Sequence, residues 1–203
     1  MGIMLRRLTW ATALCAVVTA AAAGAEQPLT KRDADSLEKK LTAMLARGAV
    51  AGAAGRPLRT VITDREVNAY FKFQGAEQLP VGVLNPSITL LDAGRFSGVA
   101  TVDLSVVRRA KERPWSDPLA YISGSLEIRA VGRLRGANGK GRFDLESATL
   151  AGVSIPKALL QEIVSYYSKT PESPGGFALD QPFDLPQKIR QVDLQRGAAV
   201  IVQ

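Results

Sequence analysis

Three pairs of carboxylates stand close enough along this 203-residue chain to act together on one bond: Asp64 with Glu66, Asp144 with Glu146, and Asp180 with Asp184. Two carboxyl groups facing each other across a cleft can split a glycosidic bond, one as acid and the other as base or nucleophile. Each pair also has a structural reading. Asp64 and Glu66 follow Thr63, and Thr with Glu three residues later is a capping box at a helix start. Asp144 and Glu146 project from the wet side of a strand, opposite arginines. Asp180 and Asp184 lie in a proline-rich stretch without the ligand spacing of a calcium loop. Composition closes other routes. The chain has no histidine, and its one cysteine, Cys15, sits in the N-terminal apolar run. Ser–His and Cys–His nucleophile systems and Cys/His metal sites therefore cannot be assembled. Gly136-Ala137-Asn138-Gly139 is a hairpin turn rather than a phosphate cradle. These residues point to a protein that is not an enzyme and uses neither cofactor nor metal.

Two other sets of residues suit binding. Phe96, Leu126, Ile128, Leu134 and Phe143 fall on one side of a sheet, and Leu159, Ile163 and Tyr167 form the stripe of a late helix. Should the sheet curl away from that helix, the two surfaces enclose a ligand groove for an acyl chain; otherwise they close on one another as ordinary core. The second set is Arg108, Arg109, Lys111, Arg113 and Trp115, with Tyr121 close behind. Cations beside an indole suit an anionic membrane surface, with the ring at headgroup depth; a solvated loop with Trp115 folded back is the alternative.

The elements that must position these residues begin after residue 25. Arg6 and Arg7 precede an uncharged run from Leu8 to Ala23 that ends in Ala23-Gly24-Ala25. A charged start, an apolar core and a small-x-small exit are the parts of a secretory signal, with cleavage expected near Ala25. The expected location is therefore exported, periplasmic or extracellular. The run is shorter and more diluted than a membrane span needs, and Leu14 before Cys15 does not fit a lipoprotein signal. The net charge of +7 falls when Arg6 and Arg7 leave. Export makes a nucleic-acid partner improbable, so the remaining basic excess points to anionic surfaces or to simple solubility.

Residues 26–57 read as an amphipathic helix from Asp33 to Arg47, with Leu37, Leu41, Met44 and Leu45 at helical spacing, and then an Ala/Gly linker. Residues 58–203 read as an α+β antiparallel-sheet domain forming one globular unit with them. A strand at 58–62 leads into the capped helix with Val67, Tyr70 and Phe71 on one side. From Ile88 the period becomes two, and Asp92-Ala93-Gly94 joins Ile88–Leu91 to the strand at 95–104. Asn138-Gly139 favours a tight two-residue turn; it pairs Ala137 with Lys140, Leu134 with Phe143 and Arg133 with Asp144, and only Val131 breaks the alternation. Pro156 starts the late helix. Residues 170–186 read as a flap-like loop, and a final hairpin turns at Arg196-Gly197. The fold class is α+β: a twisted antiparallel sheet of about six strands packed by two or three helices.

That order of elements, with Asn68-Ala69-Tyr70 in the capped helix and Gly152-Val153-Ser154-Ile155-Pro156 before the late one, resembles a group of uncharacterised secreted bacterial proteins. Their architecture is similar to half of a tubular lipid-binding module (BPI-like, TULIP). The resemblance runs from Val61 to Val202 and implies an apolar channel holding lipid, with no catalytic residue. The expected function is an exported, non-enzymatic domain that binds a lipid or other apolar ligand at a membrane surface. The other reading left open is an envelope interaction or assembly factor with a protein partner and no small-molecule ligand.

Overall fold

The computed structural model describes residues 27–50, 56–106, 124–167, 169 and 174–203, with backbone alone at Ile163, Tyr166 and Tyr167. The expected secretory signal, with Cys15 and the expected cleavage point near Ala25, lies outside the described residues. So do Arg108, Arg109, Lys111, Arg113, Trp115 and Tyr121, and the side chains of Ile163 and Tyr167.

The protein is an α+β fold. Helix α1 spans Lys31–Ala49, starting two residues before the amphipathic pattern indicates. Its true start signal is a capping box at Thr30 and Asp33, in which each side chain bonds the other's backbone N–H. Ala34, Leu37 and Met44 are buried, Leu41 packs partly against them, and Leu45 is left exposed. The stripe 34-37-41-44 is one helix face, and Leu45 falls about 100° beyond it. Strand β1 (Arg59–Thr63) runs into helix α2 (Asp64–Phe73), whose Thr63–Glu66 capping box forms as the sequence predicts. A short 3-10 turn, Ala76–Gln78, follows.

Among the described residues the sheet has nine strands. β2 (Val83–Leu90), β3 (Arg95–Asp103), β4 (Ser125–Ala137) and β5 (Lys140–Leu150) form an antiparallel meander. β6 (Val153–Ser154) and β7 (Pro182–Asp184) add to the outer edge of β5. Helix α3 (Lys157–Tyr167) comes between these two short strands in the chain. β8 (Gln191–Gln195) and β9 (Ala198–Val202) make the closing hairpin, and β9 pairs with β1. The predicted register at Asn138-Gly139 holds: Ala137 faces Lys140, Leu134 faces Phe143 and Arg133 faces Asp144.

The irregular position in β5 is a bulge. Leu145 faces Gly132 and Ser147 faces Val131, so Glu146 is the extra residue. Leu145 and Ala148, three apart, can then share the apolar side. Val131 keeps its outward phase, and Glu146 reaches both Arg95 at 2.8 Å and Arg133 at 3.4 Å.

β4 outruns β3, and β8 takes over the vacated edge at a single pair, Gly136 with Val192. Gly136 permits this approach, since a Cβ there would stand 2.8 Å from the Val192 Cβ and 2.9 Å from its backbone N. The turn at Gly94 seals the joint. Its N–H donates to Leu194 O, and its C=O accepts from the Leu134 N–H. The sheet thus comprises two parts, β1-β9-β8 and β2-β3-β4-β5, meeting at one narrow seam. Three apolar clusters line it: Leu37, Met44, Ile62 and Ile189 under α1; Leu90, Leu194 and Ala199 at the seam; Ala148, Leu160 and Leu179 under α3.

The proline-rich stretch does not stand off as a flap where it is described. Leu179 is buried, its N–H donates to Gln161 Oε1 at 2.6 Å, and the Asp180 N–H donates to Phe143 O at 2.9 Å. Gln161 on α3 holds one side of this segment and β5 the other.

Candidate functional site

The three carboxylate pairs do not assemble a cleft. Glu66 is 8% exposed and meets Lys40 Nζ at 2.6 Å, Ser36 Oγ at 2.5 Å and the Thr63 N–H at 2.9 Å. Burial alone pushes its carboxyl up, but the bonds from Lys40, Ser36 and Thr63 outweigh burial and hold it below the ordinary range. Asp64 accepts from the Leu90 N–H at 3.4 Å. Asp144 is bound by Arg142, and Glu146 by Arg95 and Arg133. Asp180 pairs with Lys157, which lowers its affinity for a proton, and Asp184 pairs with Lys140. Among the described residues, no group of three or more acidic side chains stands as a metal cluster.

Of the side chains expected to line a groove under α3, three belong to packed core. Phe96 and Phe143 meet with ring centroids 5.5 Å apart. Leu134 packs with the seam cluster and Phe143 with the α3 cluster. The ring of Phe143 also lies over Gly132, where a Cβ would come within 2.6 Å of it. Leu126, Ile128 and Leu159 are half-buried and belong to none of the three clusters.

A groove exists elsewhere, between α2 and β2, with a volume of about 860 Å³ and one side open to solvent. One wall is a single face of α2, in which Asp64, Asn68, Phe71 and Lys72 recur at helical spacing. The other is β2, contributing Val83, Leu84, Pro86 and Ile88, with Leu79 from the connection. Two devices hold the walls together. Asn68 bonds the main chain of Ile88 twice, donating from Nδ2 to Ile88 O at 2.8 Å and accepting from the Ile88 N–H at 2.7 Å. The side chain thus does what a neighbouring strand would do. At one end residues 27–29 form a third wall. Arg65 fixes it, donating to Gln27 O at 2.7 Å, Pro28 O at 2.5 Å and Asp33 Oδ2 at 3.1 Å. The Arg65 hydrogen bond, aided by Thr30, holds the Asp33 carboxyl down at about 2.

No protein family, characterised protein or solved structure matches this chain.

The α2–β2 groove was not legible in the sequence, although Phe71 and Asn68 stood out there for other reasons. Its second wall was missed because Asn85-Pro86 interrupts the period of β2. Asn85 adopts a positive φ of 47°, and the register with β3 shifts between Leu84 and Ser87. Proline belongs on an edge strand. The available signal was the apolar series Leu79, Val81 and Val83, two residues apart, with Leu84 breaking the alternation just before Asn85-Pro86. Val81 is 59% exposed and Leu84 47%.

Proposed function

We propose that this chain is an exported, non-enzymatic domain that holds the apolar chain of a lipid or similar ligand in the α2–β2 groove, at a membrane surface. The observation that carries the proposal is the groove itself: a concavity of about 860 Å³ with Phe71, Leu79, Val83 and Leu84 on its walls. Volumes of roughly 300–1,000 Å³ are those in which small ligands are buried. Leu84 on the wall is itself exposed, and exposed Phe73 and Val81 stand close along the chain to the walls, as the apolar lip of an interfacial site does. Export rests on the leader segment, and the lipid class on the apolar lining together with the resemblance to tubular lipid-binding modules.

Partner recognition by adding a strand is disfavoured by how the sheet ends. At β2, Asn68 and Asp64 occupy the outward groups of Ile88 and the Leu90 N–H. At β1, Lys40 Nζ occupies Val61 O at 2.7 Å and Glu66 the Thr63 N–H. Along β5, the short strands β6 and β7 and Asp180 take the outer positions. Edges closed in this way resist edge-to-edge pairing.

Native mass spectrometry of the protein purified from a bacterial envelope tests the proposal. The untreated sample is expected to carry extra mass that delipidation removes. Identical masses before and after, with no binding to lipid vesicles, would remove the ligand.

A further inference from the structure

Three charged residues of α2 besides Glu66 bear on the groove, and their engagements differ. Asp64 sits at the start of α2 and bonds the Leu90 N–H. Arg65 is fully engaged by Asp33 and by two carbonyls of the third wall. Lys72 has neither a carboxylate nor a carbonyl partner among the described residues; its ammonium lies 5.4 Å from the centre of the Phe73 ring. A lysine in the last turn suits the helix dipole. That accounts for a cation on the last turn, but not for its position beside the apolar part of the groove, next to Phe71 and shortly before Ala76 and Leu79. The carboxylate of Asp64 lies eight residues away, about 12 Å along the helix axis.

We infer that the groove selects an amphiphile with a single anionic head, whose head binds Lys72 and whose chain runs over Phe71 and Leu84 toward Ile88. The inference rests on the groove reading above. Lys72 stands exposed at the rim of the groove, so it offers the head a charge-assisted bond of the strength of a surface ion pair. Asp64 repels the head at the far end, so the ligand enters in one direction. Arg65 does not compete for the head, because its donors already hold the third wall.

The test compares cis-parinaric acid with its methyl ester, at pH 8 and low salt, on the full chain and on Lys72→Met and Lys72→Glu. Both substitutions change a side chain whose one described contact is the Phe73 ring, and unchanged melting midpoints check that folding is intact. The full chain is expected to bind the acid about two- to fivefold more tightly than the ester, the effect of one solvent-exposed ion pair. Lys72→Met is expected to bind both equally, and Lys72→Glu to prefer the ester. Acetate is expected not to displace the acid, since the apolar chain supplies most of the affinity. Equal binding of acid and ester by the full chain, or a preference surviving in Lys72→Met, overturns the role of Lys72 and leaves the groove standing. Failure of both probes to bind the full chain overturns the groove reading and this inference with it.

Discussion

A carboxylate as buried as that of Glu66 is costly unless cations and donors meet it. Here one group serves three elements. It caps α2 through Thr63, accepts from Ser36 on α1, and holds Lys40 where the ammonium also reaches the outer carbonyl of β1 at Val61. Replacing Lys40 with Met strands the charge, and the expected loss is about 3 kcal/mol in urea unfolding, near the lower end for a broken buried pair because Lys40 is one-third exposed. Adding Glu66→Gln removes the charge but keeps an acceptor for the cap, and part of the loss is expected to return. A Lys40→Met protein within about 0.5 kcal/mol of the parent would show that solvent already serves Glu66. The capping role was readable from Thr63 and Glu66, which are three residues apart. The Lys40 contact was not, because it depends on how α1 lies across β1.

At the scale of elements, local signals were legible where turn chemistry and side-chain alternation agreed. The Asn138-Gly139 hairpin has its predicted register, and the final hairpin forms across Arg196-Gly197. Legibility was lost where the chain breaks its own period: Glu146 bulges out of β5, and Asn85-Pro86 shifts β2. The third wall of the groove depends on a contact that no local pattern shows, that of Arg65 with residues 27, 28 and 33. Its pH dependence follows from Asp33. The carboxyl is held at about 2 against an ordinary 3.8. A depressed value means the stabilisation is complete above 3.8 and is lost as pH falls toward 2. NMR signals of Leu29 and Thr30 are expected to shift reversibly over that window, and Asp33→Asn is expected to remove the step. No change before global acid unfolding would mean the clamp does not hold the wall.

For the whole molecule, the proposed function turns on where the sheet leaves space. The surface under α3 was the natural candidate, because Phe96, Leu134 and Phe143 alternate correctly with polar neighbours. In the fold, the glycine at 132 admits the Phe143 ring, and the narrow seam at Gly136 brings the apolar sides of the two sheet parts together, so those side chains fill one another's space. Among the described residues, a groove lies instead at the β2 edge, where a helix replaces a strand and cannot fill the space a strand and its side chains would. Sequence alone cannot locate it, since it requires knowing that α2 and β2 are neighbours. Mapping methyl and amide NMR shifts while titrating the neutral probe N-phenyl-1-naphthylamine tests the groove most directly. Saturable shifts are expected at Phe71, Leu79, Val83, Leu84 and Ile88, with Leu126, Ile128 and Leu159 unmoved. Shifts confined to Leu126, Ile128 and Leu159, or none at saturating probe, would contradict a binding site between α2 and β2.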